Sequence, residues 1–155
     1  SMKNTPNKSY FTTGQMRNAL LQIEDQMVHS NWMPGIILSI NRGGCIPGVY
    51  LSHRLKIPHE VLDIRLRDHK TKPDIRTLEK AFSWQKKILI IDDINDTGAT
   101  FQYIVENFGR QKDRIRFSAL VNNKVSAVEM DYSGYQINKE EVPAWIVFPW
   151  EDWDK

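Results

Sequence analysis

The sequence predicts an α/β domain with a mostly parallel central sheet flanked by helices. Three observations carry this. Ile36-Ile37-Leu38-Ser39-Ile40 and Ile88-Leu89-Ile90-Ile91 are short, β-branched-rich runs without polar alternation, as in strands covered on both faces. Segments of helical period alternate with strand-like runs along the chain. The 155 residues amount to one ordinary domain with enough volume for a core.

Residues 1–11 are polar and rich in Pro, Asn and Lys, and are expected to form a flexible arm, with Ser1 ahead of Met2 reading as a tag remnant. One domain is expected over residues 12–155. Thr12 with Gln15 three residues on has capping-box form, and Met16, Ala19, Leu20, Ile23 and Met27 then follow at the spacing of one helix face. Pro34-Gly35 breaks that helix before the first apolar strand. A helix over 47–55, a strand over 60–65, the strand at 88–91, a helix over 100–108 and a strand over 115–121 complete the alternation. Residues 66–86 are charged and Pro-containing, and are expected to be a long mobile loop. A ligand site in such a sheet lies beyond the carboxyl ends of the strands.

Composition narrows the function classes. Lys and Arg number 21 against 19 Asp and Glu, a net charge of +2, so there is no strong field for nucleic acid, and a small molecule is the expected partner. No apolar run approaches the roughly 20 residues of a membrane span. One cysteine makes neither an internal disulfide nor a cysteine-rich zinc site. The N-terminus lacks the apolar core of a signal peptide, so a cytoplasmic location is expected. The four His residues have no ligand spacing, and Cys45, at a helix start, reads as a small buried residue.

The strongest chemical signal runs from Ile88 through Asp92-Asp93-Ile94-Asn95-Asp96-Thr97-Gly98-Ala99-Thr100, an apolar strand leading into three carboxylates and a small-residue turn that opens a helix. Backbone N–H groups at that helix start, with Thr97 and Thr100 hydroxyls beside them and Gly98 permitting close approach, form a phosphate cradle. Asp92 and Asp93 would repel a phosphate, so they fit a vicinal diol or a divalent cation. Phosphate and diol together describe a ribose 5-phosphate. A Walker-type site is excluded because no Lys-Ser/Thr follows a glycine loop. An aspartic protease is excluded because Asp96-Thr97-Gly98 sits in a strand–helix alternation rather than an all-β chain.

This motif resembles that of the type I phosphoribosyltransferases, which bind 5-phosphoribosyl 1-pyrophosphate (PRPP). Ser39-Ile40-Asn41-Arg42-Gly43-Gly44 is similar to the family's pyrophosphate loop, which implies a cis Asn41–Arg42 peptide and a pyrophosphate grip by Asn41, Arg42 and Gly43. Ala144-Trp145-Ile146-Val147-Phe148-Pro149-Trp150-Glu151 resembles the C-terminal signature of the small 6-oxopurine (xanthine/guanine/hypoxanthine-type) members. That resemblance implies a purine stacked on Trp145, read by the backbone near Ile146, with Lys124 donating to its O6. It departs from the family where Arg65-Leu66-Arg67-Asp68-His69 stands in the hood loop in place of a Ser-Tyr pair or an aromatic, and where Asn122-Asn123-Lys124-Val125 lacks a Lys-Pro. Five cations between residues 65 and 76 suit a loop that covers pyrophosphate by charge.

The implied reaction moves a 5-phosphoribosyl group from PRPP to a 6-oxopurine with Mg²⁺, in purine salvage. Asp92 and Asp93 would orient the ribose diol, and Thr97, Gly98, Ala99 and Thr100 would hold the 5-phosphate. Asp96 would take the purine N7 proton, and Glu151 would join Asp92 and Asp93 near the metal, partly through ribose hydroxyls or water. PRPP and a purine base are the expected partners, with a homo-oligomer (dimer or tetramer) and neither nucleic acid nor membrane. The alternatives are a non-catalytic protein that senses the donor or nucleotides on the same fold, and transfer to a pyrimidine.

Overall fold

The structure, a computed structural model, describes residues 7–64 and 73–154. The order is β1 (Asn7–Tyr10), α1 (Thr13–His29), β2 (Ile36–Ile40), α2 (Cys45–Leu55), β3 (His59–Leu62), α3 (Arg76–Ser83), β4 (Ile88–Asn95), α4 (Ala99–Phe108), β5 (Ile115–Asn123), β6 (Tyr132–Ile137) and β7 (Ala144–Val147), then a 3₁₀ turn at Pro149–Glu151. Five strands form one sheet in the order β3-β2-β4-β5-β6, every neighbouring pair parallel. This is the α/β class expected from the alternation of apolar strands and helical faces.

Both faces of the sheet are covered, and the strand residues divide between them with period two. Ile37, Leu89 and Ile91 pack with Met16, Ala19, Leu20, Ile23 and Met27 of α1 and Leu51 of α2. Ile36, Leu38, Ile40, Ile88 and Ile90 pack on the other side with Leu78 and Ala81 of α3 and Phe101 and Ile104 of α4. The capping box at the start of α1 is present: Gln15 N–H donates to Thr12 Oγ1 at 3.0 Å, and Thr12 N–H to Gln15 Oε1 at 2.8 Å.

Several expectations are corrected. The flexible arm over 1–11 gives way from Asn7 onward to β1, which pairs in parallel with β7. Its four side chains all stay exposed, so no hydrophobic alternation announces it. Phe11 then enters the core, edge-on to Tyr135 at 5.5 Å and to Phe148 at 5.2 Å. The loop expected over 66–86 contains α3, held by two fully buried positions, Leu78 and Ala81. β4 outruns its apolar stretch because Asp92 and Ile94 still pair with Ala119 and Val121 of β5. β6 escapes a pattern reading because Gly134 interrupts it, where a Cβ would come within 2.7 Å of the Leu120 carbonyl and 2.8 Å of the Ala19 Cα. Residues 1–6, including Ser1, and residues 65–72, including Arg65-Leu66-Arg67-Asp68-His69, lie outside the described residues.

The sheet order places the site. From β2 the chain moves to β3 on one side and returns to β4 on the other. The strand order therefore reverses between β2 and β4, and the crevice outside their carboxyl ends is the switch point at which open α/β sheets bind ligands.

Candidate active site

Two loops meet at that switch point. The first leaves β2 through Asn41–Arg42, whose peptide is cis as the resemblance implied. Gly44 follows, buried, with a Cβ position 2.5 Å from the Ile91 carbonyl and 2.8 Å from that of Ile40, so only glycine lets α2 start this close to β4. Gly43 lies directly against the carboxylate of Asp93, the second loop's own residue, so that any side chain at 43 would overlap that carboxylate. Arg42 stays exposed. The Cys45 thiol, S–H donating to Asn41 Oδ1 at 3.5 Å, has its pKa raised by burial and then by Asp92 and Asp63, so a thiolate is disfavoured at this helix start.

The second loop begins inside β4. Asp92 Oδ1 accepts the Asp93 N–H at 2.8 Å, and Asp93 Oδ1 accepts the Ile94 N–H at 2.7 Å, so each carboxylate is oriented by the next peptide. Asn95 is buried; its Nδ2 donates to Asn122 Oδ1 at 2.9 Å and to the Val128 carbonyl at 2.8 Å, while its Oδ1 accepts from Ser126 Oγ at 2.9 Å. Segment 126–128 thereby braces the turn from behind, and Ala127 N–H donates to the Thr97 carbonyl at 3.0 Å. Gly98 has φ of 88° at the start of α4, the left-handed region that glycine enters without cost, and a Cβ there would come 2.5 Å from Ser126 Oγ. Thr97 is exposed, its Oγ1 accepting the Ala99 N–H at 3.3 Å.

Asp96 is fixed from two further elements. Lys139 Nζ stands 2.9 Å from Asp96 Oδ2, and Asn123 Nδ2 donates to the Asp96 carbonyl at 3.1 Å. Lys139 was not singled out from the sequence, because a lysine in a polar turn carries no pattern of its own.

Arg42, Gly43, Ile46, Asp93, Trp150, Glu151 and Trp153 line a cavity of about 560 Å³ in this crevice. Glu151 closes the 3₁₀ turn by accepting the Phe148 N–H at 3.0 Å. Trp150 stacks on Phe148 at 5.0 Å with 6° between the planes. Trp153, 84% exposed, donates its Nε1–H to the Trp150 carbonyl at 2.9 Å. Of the residues singled out in the sequence, the cavity wall brings together Arg42, Gly43, Asp93 and Glu151. Lys124, Trp145 and Ile146 are not on that wall. Trp145 is 54% exposed with Lys8 Nζ 4.9 Å from its ring centroid, so it is not a core anchor. Ile146 packs partly buried against the core, and Lys124 is exposed, with its N–H donating to the Ile137 carbonyl at 2.8 Å.

No three His, Cys, Asp or Glu side chains converge on a point among the described residues. Mg²⁺ held by one or two carboxylates, with substrate phosphates and water completing its shell, does not require such a cluster. Asp93 and Glu151 on one wall, with Asp92 beside Asp93, fit that donor set. No helix among the described residues is long and apolar enough to cross a membrane.

The family model described as phosphoribosyl transferase domain matches residues 9–152. Among solved structures, a purine phosphoribosyltransferase from Pyrococcus horikoshii is 29% identical, with a TM-score of 0.71 and 96% of each chain covered. A xanthine-guanine-hypoxanthine phosphoribosyltransferase from Helicobacter pylori is 16% identical, with a TM-score of 0.67, covering 94% of this chain and 95% of that one. A hypothetical protein from Neisseria gonorrhoeae with bound ppGpp is 18% identical, with a TM-score of 0.74, covering 98% of this chain and 93% of that one. The last two likenesses are of fold.

Proposed function

The chain belongs to the phosphoribosyl transferase family, and from that premise we propose that it transfers the 5-phosphoribosyl group of PRPP to a 6-oxopurine base, releasing pyrophosphate, as a cytoplasmic purine-salvage enzyme dependent on Mg²⁺. The observation that carries the proposal is the interlock of the two loops: Gly43 against the Asp93 carboxylate puts an exposed arginine and the acidic strand end on one cavity. A pyrophosphate and a ribose diol are joined at C1 of the donor, and these two loops offer adjacent partners for them. The purine acceptor rests on the similarity to the Pyrococcus horikoshii purine enzyme and on the C-terminal signature around Trp145.

In this reading the C1–oxygen bond to pyrophosphate breaks, a bond from C1 to a ring nitrogen of the base forms, and the proton of the base leaves to a carboxylate. Asn41, Arg42 and Gly43 hold the departing pyrophosphate, whose charge grows as the bond breaks, so that donors fixed in advance act on the transition state. Asp92 and Asp93 accept hydrogen bonds from the ribose hydroxyls. Thr97, Gly98, Ala99 and Thr100 receive the 5-phosphate at the amino end of α4, where N–H groups without an intrahelical partner and the helix dipole favour an anion. Asp96 takes the N7 proton as general base. Lys124, Trp145 and Ile146 bind the purine. Asp92, Asp93 and Glu151 would hold Mg²⁺, which when bound offsets pyrophosphate charge. Steady-state pyrophosphate release with guanine, hypoxanthine, xanthine and orotate tests the proposal. Turnover with one or more of the purines supports it; donor binding without release would instead identify a nucleotide-sensing protein, and release with orotate alone a pyrimidine enzyme.

A further inference from the structure

We propose that Lys139 is a positioning residue for Asp96, holding the carboxylate in the orientation in which it accepts a proton from the base; this rests on the role of Asp96 proposed above. Lys139 lies sixteen residues beyond Asn123 at the tip of the turn between β6 and β7, and its backbone N–H donates to Asn123 Oδ1 at 3.1 Å. The other end of the same buried amide donates to the Asp96 carbonyl at 3.1 Å and reaches Asp96 Oδ1 at 3.5 Å. One side chain, Asn123, therefore sets the spacing between the Lys139 backbone and the Asp96 backbone. The turn is fixed in its own right, because Asn138 Oδ1 accepts the Glu140 N–H at 3.0 Å.

From that anchored position Lys139 Nζ reaches Asp96 Oδ2 at 2.9 Å. The two side chains are 27% and 44% exposed, so as a contribution to stability the pair ranks with other surface ion pairs, which are worth little. Its geometry matters more than its energy. A carboxylate offers about four acceptor sites on its two oxygens. The ammonium on Oδ2 and the amide near Oδ1 fix the plane of the group and leave acceptor sites on both oxygens for a third donor. A base that swung freely about its side-chain torsions would meet the acceptor N–H in a smaller fraction of encounters, and misplacement by about 1 Å can cost on the order of 10²-fold in rate.

Three variants of the full chain test this with PRPP, Mg²⁺ and the best purine of the panel. Lys139→Met is expected to lower kcat by roughly 10-fold or more while leaving KM for the purine within about twofold and the melting temperature nearly unchanged. Lys139→Arg is expected to restore most of the lost kcat, since a guanidinium reaches the same carboxylate. In an Asp96→Asn background, which itself loses turnover, Lys139→Met is expected to add no further loss. Wild-type kcat in Lys139→Met, or equal losses in Lys139→Met and Lys139→Arg, overturns the inference while the role of Asp96 stands. Wild-type turnover in Asp96→Asn, or no release with any base in the native protein, overturns the reading of Asp96 itself and this inference with it.

Discussion

Gly43→Ala probes the interlock on which the site depends. An added Cβ would overlap Asp93 Oδ2 and sit 2.6 Å from Asp93 Cγ and 3.0 Å from Oδ1, against the roughly 3.5–4.0 Å of an ordinary carbon contact. The carboxylate must retreat by about 1 Å or lose its rotamer, and its hydrogen bond from the Ile94 N–H at 2.7 Å goes with it. Overpacking costs about 1–3 kcal/mol, and a hydrogen bond to a charged group is worth a similar amount, so a destabilisation of about 1–3 kcal/mol follows if relief of one takes the other. For a chain of this length that lowers the melting temperature by roughly 2–12 °C. Under the proposed donor site, affinity should fall further than stability, because Asp93 would be displaced from the ribose diol and the Asn41–Gly43 loop pushed outward. Calorimetric titration of PRPP with Mg²⁺, beside thermal melts, reads both. The overlap also predicts its own rescue: with Asp93→Ala already in place, Gly43→Ala should cost almost nothing more in stability, a coupling as large as its single effect. Native donor affinity in Gly43→Ala, or additive losses in the double variant, would refute the reasoning.

Asp92→Asn with Asp93→Asn should leave the fold intact, since both lie at the site-facing end of β4, and should weaken donor binding by orders of magnitude in the same titration. Trp145→Ala should raise the purine KM by roughly 5- to 150-fold, equivalent to about 1–3 kcal/mol of stacking, with little change in melting temperature because the ring is 54% exposed; a collapsed melting temperature with an unchanged KM would remove it from the acceptor site. His59, whose Nε2 lies 2.7 Å from the buried Ser39 hydroxyl, has a pKa lowered from its ordinary 6.5 by burial, opposed by Glu60. The folded state thus favours the neutral ring, and its contribution is full above pH 6.5 and is lost as pH falls through that value toward the lowered folded pKa. Thermal melts from pH 8 to 5 should decline more steeply in the native protein than in His59→Gln, and parallel curves would contradict this.

Legibility in the sequence followed whichever physical signal a segment needed in order to fold. β2 and β4 are buried on both faces, so their apolar runs announce them, and the capping box of α1 is written in two residues. The run from Asp92 to Thr100 is equally readable as a strand end, a tight turn and a helix start, because close backbone approach and a positive φ favour glycine at 98. β1 is hidden because its four side chains are exposed and its partner β7 lies at the far end of the chain, so no apolar alternation marks it. α3 was hidden by its charged flanks, although Leu78, Ala81 and Phe82 at helical spacing were the signal available. Trp153 and Lys139 depend on how the chain end and the β6–β7 turn fold back over the sheet, a tertiary fact with no local spacing. The sequence shows a glycine at 43, yet the reason for it, the Asp93 carboxylate fifty residues on, exists only in the fold.

The most direct measurement is a competition. The protein is incubated with PRPP, Mg²⁺ and equal amounts of guanine, hypoxanthine, xanthine, adenine, orotate and uracil, and the nucleotides formed are weighed by mass spectrometry beside a sample of Asp92→Asn with Asp93→Asn. The expected result is one or more 6-oxopurine nucleoside monophosphates, matched mole for mole by pyrophosphate and absent from the variant. A product confined to a pyrimidine or to adenine, or no nucleotide at all from protein that binds PRPP, would contradict it.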